Sequence, residues 1–509
     1  VKLVFVLFDS LNRHLLGPYG GTRIETPNFD RLAARSITFD NHYVGSMPCM
    51  PARRDMQTGR LSFLHRSWGP LEPFDNSFPE RLAESGVFSH LVTDHAHYWE
   101  DGGATYHTRY DTHEFIRGQE GDVWKAMVAP HWDRLREMYD AAQFSSARRN
   151  TRAQDIINRE FIREEADFPS VKCFAAGFEF LDRNRDADNW LLQIETFDPH
   201  EPFMAPERFK DKFRTGWTGK IRDWPRYGRV DELPEECEEL RANYYATVAL
   251  CDSLLGDLLD RFDRDDMWRD TALVVTTDHG FLLGEHDFWA KNRMNLYQEI
   301  VHIPLFLHDP RRPDVAGQRR APLTQTMDLA TTFLDFFGAA PPAENEGISL
   351  LRHLDGDATT RKAALFGYFG GAVNITDGQH TYHRYPADLM NQEIYQYTLM
   401  PTHLRWRFLP EEFVDMQATG PFPFTKGARV MKLPVLDRAP FHMSYGPGCM
   451  IEDETRLYDL KADPGQENPV ADPALEQRMI VTMTGLMRDN HAPPEAYRRL
   501  GLAVPEGIA

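Results

Sequence analysis

Four separate apolar runs end abruptly on acidic or histidine side chains, and this repetition restricts the fold more than any other feature of the chain. Leu3–Phe8 (LVFVLF) stops at Asp9. Phe88–Thr93 runs into Asp94, His95 and His97, and Trp190–Thr196 into Asp198 and His200. Ala272–Thr277 (ALVVTT) runs into Asp278, His279 and Gly280. Short continuous apolar runs rich in β-formers are the pattern of parallel strands buried on both faces. Open α/β sheets take their ligands beyond the carboxyl ends of such strands. The four ends therefore predict one crevice lined with metal-binding and acid–base groups.

The intervening segments read as helices packed on that sheet. Thr26–Ala34 has Thr26 as a cap, Pro27 in the first turn, and Phe29, Leu32 and Ala33 on one face. Tyr244–Phe262 is amphipathic. Residues 101–188 form a long charged insertion, expected to be helical in Val123–Tyr139 and Asn150–Glu165. After about residue 355, Ala364–Ile375, His380–Tyr385 and Arg456–Leu460 read as strands and Pro473–Met487 as a helix, with 386–450 irregular. The expectation is an α/β catalytic unit over 1–355, built on a large mixed, mostly parallel sheet, and a smaller α+β unit over 356–509.

Composition limits the partners. The 509 residues carry 57 basic and 77 acidic side chains, a net charge of −20, which excludes wholesale binding of nucleic acid. A small anion is still admissible, because a few local cations dominate a small pocket. No apolar run approaches the ~18–20 residues that cross a bilayer, so no membrane partner is expected. Leu3–Phe8 lacks the cationic start of a signal peptide. Five scattered cysteines point to a reducing compartment, the cytoplasm, or to the periplasm or exterior if a leader has been removed.

The stretch Pro48-Cys49-Met50-Pro51-Ala52-Arg53, followed by Thr58-Gly59-Arg60, carries the most chemistry. Pro51 suits the first turn of a helix, which puts Cys49 at an amino end that favours anions. Arg53 is placed to clamp a tetrahedral oxyanion. The spacing Cys-x-Pro-x-Arg resembles the signature of type I, formylglycine-dependent sulfatases. Thr26–Ala33, Phe197-Asp198-Pro199-His200-Glu201-Pro202-Phe203, Asp278-His279-Gly280 with Gly284-Glu285-His286, and Trp289-Ala290-Lys291 are also similar to that family. So are Leu323–Phe337 leading to Gly347–Leu351, and Leu457–Leu460 with Asp463-Pro464-Gly465, all in family order.

The resemblance implies an alkaline-phosphatase-like fold and hydrolysis of a small-molecule sulfate ester. Cys49 is implied to be converted to formylglycine by a formylglycine-generating enzyme, its gem-diol serving as nucleophile. Asp9, Asp278, His279 and the converted Cys49 fall at metal-ligand positions. Carboxylates suit Ca²⁺ or Mg²⁺, and the imidazole tilts the set towards Mn²⁺. Arg53 and Lys291 are implied to hold the ester oxygens, His200 or Lys291 to protonate the leaving oxygen, and His95 or His97 to act as the base that restores the aldehyde.

Two departures bear on the substrate. Ser10 stands where many sulfatases have a second acidic residue, and Asp94-His95-Ala96-His97-Tyr98 replaces a lysine-bearing motif. With His279, these bring the chain close to the arylsulfatase and phosphonate monoester hydrolase branch, so a phosphonate monoester or phosphodiester is the alternative substrate. His95 and His97 also admit a separate reading as a zinc pair, although alternate residues of a strand point to opposite faces. The 101–188 and 386–450 segments serve either substrate selection, for instance through Tyr106, His107 and Arg109, or contacts in a homo-oligomer.

Overall fold

The computed structural model describes residues 1–358 and 360–508. Its main sheet has nine strands. Thr112–Phe115, Phe88–Thr93, Trp190–Thr196, Lys2–Phe8 and Thr271–Thr277 lie side by side in that order, all parallel. Leu305–His308 adds antiparallel to Thr271–Thr277, and Ile37–Tyr43 continues the sheet, flanked by His302–Ile303 and Arg319–Gln325.

Strand Lys2–Phe8 shows why the run had to be apolar throughout. Val4, Val6 and Phe8 enter the core on one face, and Leu3, Phe5 and Leu7 enter the core on the other. The first core is closed by helices Pro27–Arg35, Pro169–Arg183 and Pro234–Arg264, the second by Cys49–Thr58, Phe78–Glu84 and Asp328–Phe336. With helices on both faces, every position from Leu3 to Phe8 is buried and apolar until the chain leaves the sheet at Asp9.

A second, five-stranded sheet orders Arg456–Asp459, His380–Arg384, Val373–Thr376, Ala364–Tyr368 and Ser46–Met47. The last of these immediately precedes Cys49, so the later part of the chain grips the segment that delivers the cysteine. Three more strands, Tyr395–Thr398, Val430–Pro434 and Gln417–Thr419, form an antiparallel sheet within the stretch expected to be irregular.

Several local expectations are corrected. Ala364–Ile375 is two strands of a hairpin, broken where Gly370 takes a φ of 80°. In the insertion, helix forms over Trp132–Met138 and Thr151–Arg159 but not from Val123, because Pro130 interrupts the run. The Thr26 hydroxyl accepts from the Gly17 N–H (2.9 Å) instead of capping the helix it precedes.

Candidate active site

Three strand ends and one helix start meet at the site. Asp9 leaves Lys2–Phe8, Asp278 and His279 leave Thr271–Thr277, Glu195 lies near the end of Trp190–Thr196, and Cys49 opens helix Cys49–Thr58. Ligand atoms of Asp9, Cys49, Asp278 and His279 all lie within 4.8 Å of one another, and all four residues are buried. Cys49 Sγ is 3.1 Å from His279 Nε2 and 3.9 Å from Asp9 Oδ1. His279 Nδ1 lies 2.9 Å from the Gly280 carbonyl oxygen. That contact fixes the proton on Nδ1 and presents the Nε2 lone pair to the cluster.

Gly280 has a steric reason to be glycine. A Cβ there would sit 1.9 Å from the Glu299 carbonyl oxygen, and its N–H donates to Ile300 O at 2.7 Å. The Asp-His-Gly turn is thereby pressed against helix Gln298–Val301, which aims His279 inward.

Arg53 departs from expectation. Its Nε donates to Glu195 Oε1 (2.8 Å), Nη1 to Asp278 Oδ2 (2.6 Å) and the Cys49 carbonyl (3.2 Å), and Nη2 to Asp9 Oδ2 (2.9 Å). Four of the five N–H groups of a guanidinium are thus engaged, and the side chain is only 2% exposed. It holds the two metal-side carboxylates from behind and leaves no fork for a substrate oxyanion. Glu195, which the sequence reading missed, anchors this arrangement while accepting from Tyr98 Oη (3.1 Å) and Gln193 Nε2 (2.9 Å). Its signal was present: a carboxylate inside a fully buried strand needs a partner.

Donor chemistry and burial both fit a divalent cation. Burial and the adjacent Asp278 push the Asp9 carboxyl up in the metal-free protein, whereas the neighbouring His279, Arg53 and Lys291 overcome burial to hold Asp278 well below the usual range. Two carboxylates that cannot both ionise easily are what a cation stabilises. Burial and the nearby carboxylates push the Cys49 thiol up, so an unconverted thiol is a poor nucleophile here.

Above the cluster opens a cleft of about 350 Å³, walled by Cys49, His97, His200 and Lys291. Lys291 Nζ donates to Ser10 Oγ (2.9 Å), which in turn donates to Asp9 Oδ1 (2.8 Å). Ser10 therefore links the lysine to the metal-side carboxylate. Burial works to lower the Lys291 pKa, but the facing Cys49, Glu201, Asp9 and Asp278 outweigh it, so the group stays an ammonium. Burial and the Lys291 charge hold His200 well below its ordinary value, as a neutral imidazole.

His95 and His97 are not alternate residues of one strand, because the strand ends at Thr93 and Ala96–Trp99 is a short 3-10 turn. Their rings meet edge to face at 5.0 Å. His97 reaches the cleft with Glu100 Oε1 2.9 Å from its Nδ1. His95 is fully buried beneath it, 3.8 Å from Asp9 Oδ2, with neither ring nitrogen hydrogen-bonded. The two do not join any cluster of metal-ligating side chains among the described residues. Tyr106, His107 and Arg109 do not line the cleft: Tyr106 Oη donates to Gly69 O (2.8 Å), His107 stacks on Trp99 and Arg109 pairs with Glu80. The insertion instead contributes Glu120 and Asn150–Arg152, and the later segment Ser444 and Tyr445.

A buried carboxylate–imidazole cluster with a cysteine at a helix start, set at the strand ends of a large mixed sheet, defines a metal-dependent ester hydrolase of the alkaline-phosphatase-like class. The chain belongs to the sulfatase family, whose model, described as Sulfatase, matches residues 2–339. It is 25% identical over 426 residues to the N-acetylglucosamine-6-O-sulfatase of Bacteroides thetaiotaomicron, covering 72% of this chain and 74% of that one. It is 24% identical over 389 residues to the choline-sulfatase of Rhizobium meliloti, covering 72% and 73%. Among solved structures, the phosphonate monoester hydrolase of Agrobacterium radiobacter shares the fold with a TM-score of 0.63 at 17% identity, over 96% of this chain and 95% of that one. The protein is a sulfuric ester hydrolase, of a family that works with a metal and a formylglycine.

Proposed function

We propose that the protein hydrolyses the sulfate monoester of a carbohydrate, with Mn²⁺ as resident metal and Cys49 converted to formylglycine. The observation that carries the metal assignment is His279, whose Nε2 lies 3.1 Å from Cys49 Sγ and 3.4 Å from Asp278 Oδ2. An imidazole nitrogen among carboxylate oxygens favours Mn²⁺ over the all-oxygen preference of Ca²⁺. The carbohydrate assignment is supported by the cleft, where Trp68, Trp224, Tyr227 and Tyr445 stand among charged side chains. The names of the relatives include a sugar sulfatase.

Held by Asp9, Asp278, His279 and the converted Cys49, the cation supplies charge that lowers the pKa of a hydroxyl and neutralises sulfate oxygens. Arg53 keeps both carboxylates in place for it. Lys291, an ammonium on the cleft wall, is placed to hold a sulfate oxygen and to stabilise charge on the leaving oxygen by hydrogen bonding. His200 and Lys291 both line the cleft, and one of the two supplies the proton to the leaving oxygen. His97 lies on the cleft wall with Glu100 Oε1 2.9 Å from its Nδ1, which has no hydrogen-bond partner among the described residues, and the adjacent carboxylate would stabilise the ring on accepting a proton.

Rates on a glucosamine-6-O-sulfate, an aryl sulfate and an aryl phosphonate monoester, with metal analysis of the purified protein, test this reading. Faster hydrolysis of the sulfates with stoichiometric manganese is expected. A preference for the phosphonate, or calcium as the bound ion, overturns the corresponding part.

A further inference from the structure

Two guanidinium groups enter the same cleft without a carboxylate partner. Arg152, from the start of helix Thr151–Arg159, donates only to a backbone oxygen, that of Ala142. Arg293, two residues beyond Lys291, makes no side-chain hydrogen bond or ion pair among the described residues, and its Nε is buried without a partner. Both are steadied by aromatic rings from one loop instead. Arg152 Cζ lies 5.1 Å from the Trp224 ring and Arg293 Cζ lies 5.8 Å from the Tyr227 ring. An arginine held by a π-face keeps most of its N–H donors free, whereas one paired with a carboxylate spends donors on it and has its charge compensated.

Glu201, Asp155 and Glu120 act on Arg152 through space, but none forms an ion pair with either arginine among the described residues. Glu201 accepts a hydrogen bond from Tyr227 Oη, and burial pushes its pKa up to about 7. Glu120 lines the cleft but pairs with neither arginine. Lys291 and the metal cluster already serve the scissile sulfate. Arg152 and Arg293 therefore keep N–H donors in the cleft beyond those that the single anion of the reaction requires.

We infer that Arg152 and Arg293 form a subsite for a second anionic group of the substrate, so that the natural substrate is a sulfated sugar carrying a further sulfate or carboxylate. This rests on the carbohydrate sulfatase reading above. Both residues line the cleft that also holds Cys49 and Lys291, and neither belongs to the metal-ligand cluster.

The test measures binding separately from turnover. Protein carrying the unconverted Cys49 thiol and loaded with metal is titrated calorimetrically with three ligands. These are glucosamine-6-O-sulfate, glucosamine-2-N,6-O-disulfate, and a disaccharide of a uronate with glucosamine-6-O-sulfate. At least one doubly anionic ligand is expected to bind about tenfold more tightly than the first, from one added charge-assisted contact. That advantage should vanish in the double variant Arg152→Gln/Arg293→Gln and persist in part in Arg293→Lys, which keeps a charge but loses the fork. The ligand whose advantage disappears identifies the second anion as sulfate or carboxylate. Equal affinities for all three, or an advantage retained in the double variant, overturns the inference. Converted enzyme that binds these ligands but hydrolyses none of them overturns the carbohydrate sulfatase reading instead.

Discussion

Arg53 is the residue at which sequence pattern and structure part most instructively. Its place four residues after Cys49 is compatible with an oxyanion clamp, yet its donors are consumed by Glu195, Asp278, Asp9 and the Cys49 carbonyl. Arg53→Ala leaves three carboxylates buried without their counter-charge, which costs about 3–5 kcal/mol. Thermal unfolding of the metal-free variant should show that loss, and metal titration should show affinity reduced by about 10–100-fold. Unchanged metal affinity in a folded variant would show that Arg53 does not position the ligands. His97→Ala should retain its full complement of metal while losing turnover, because His97 lies on the cleft wall outside the ligand cluster. Loss of the catalytic ion with that substitution would revive the reading of His95 and His97 as a zinc pair.

Between residue and whole molecule, the decisive unit is the turn that follows each strand. Lys2–Phe8 and Thr271–Thr277 are adjacent and in register, Phe8 opposite Thr277, so Asp9 and Asp278 emerge side by side. Gly280 lets the second turn lie against helix Gln298–Val301. Gly280→Ala must displace backbone, since its Cβ would meet the Glu299 carbonyl. We expect about 1–3 kcal/mol of destabilisation and weaker metal retention, read by calorimetry and metal analysis. This level was the most legible in the sequence. Apolar runs ending at Asp9 and Asp278-His279 predicted the sheet and the crevice, because strand burial and strand ends leave local patterns, whereas the particular ligand set was implied by the family resemblance. The direction of Arg53 and the depth of His95 left none, since both depend on carboxylates and rings distant in the chain. The same holds for Arg152: a charged helix start in an insertion reads as solvated surface until Trp224 is seen beside it.

For the molecule as a whole, the net charge of −20 and an anionic substrate are reconciled by segregation. Lys291, Arg152 and Arg293 gather in one cleft with Glu120 and Glu201, and most of the carboxylates lie elsewhere. The wider interior also sets a pH response. His383, fully buried with Nδ1 2.9 Å from Asn374 Oδ1, is pushed down to about 3 by burial and the Arg456 charge. The unfolded chain takes up that proton near pH 6.5 and the folded one does not, so this residue's contribution to stability falls as pH drops from about 6.5 towards 3. His383→Gln should flatten that part of the stability–pH curve, measured by denaturant unfolding across the window. A slope as steep as in the parent protein would contradict the assignment. The proposed mechanism turns on one chemical point: it takes as nucleophile not the Cys49 thiol, whose pKa burial and the nearby carboxylates push up, but its oxidised product. Mass spectrometry of the peptide carrying Cys49, taken from protein that is turning over a sulfate ester, tests this most directly. The aldehyde, or its hydrate, at position 49 is the predicted result, and an intact thiol throughout a fully active preparation would contradict it.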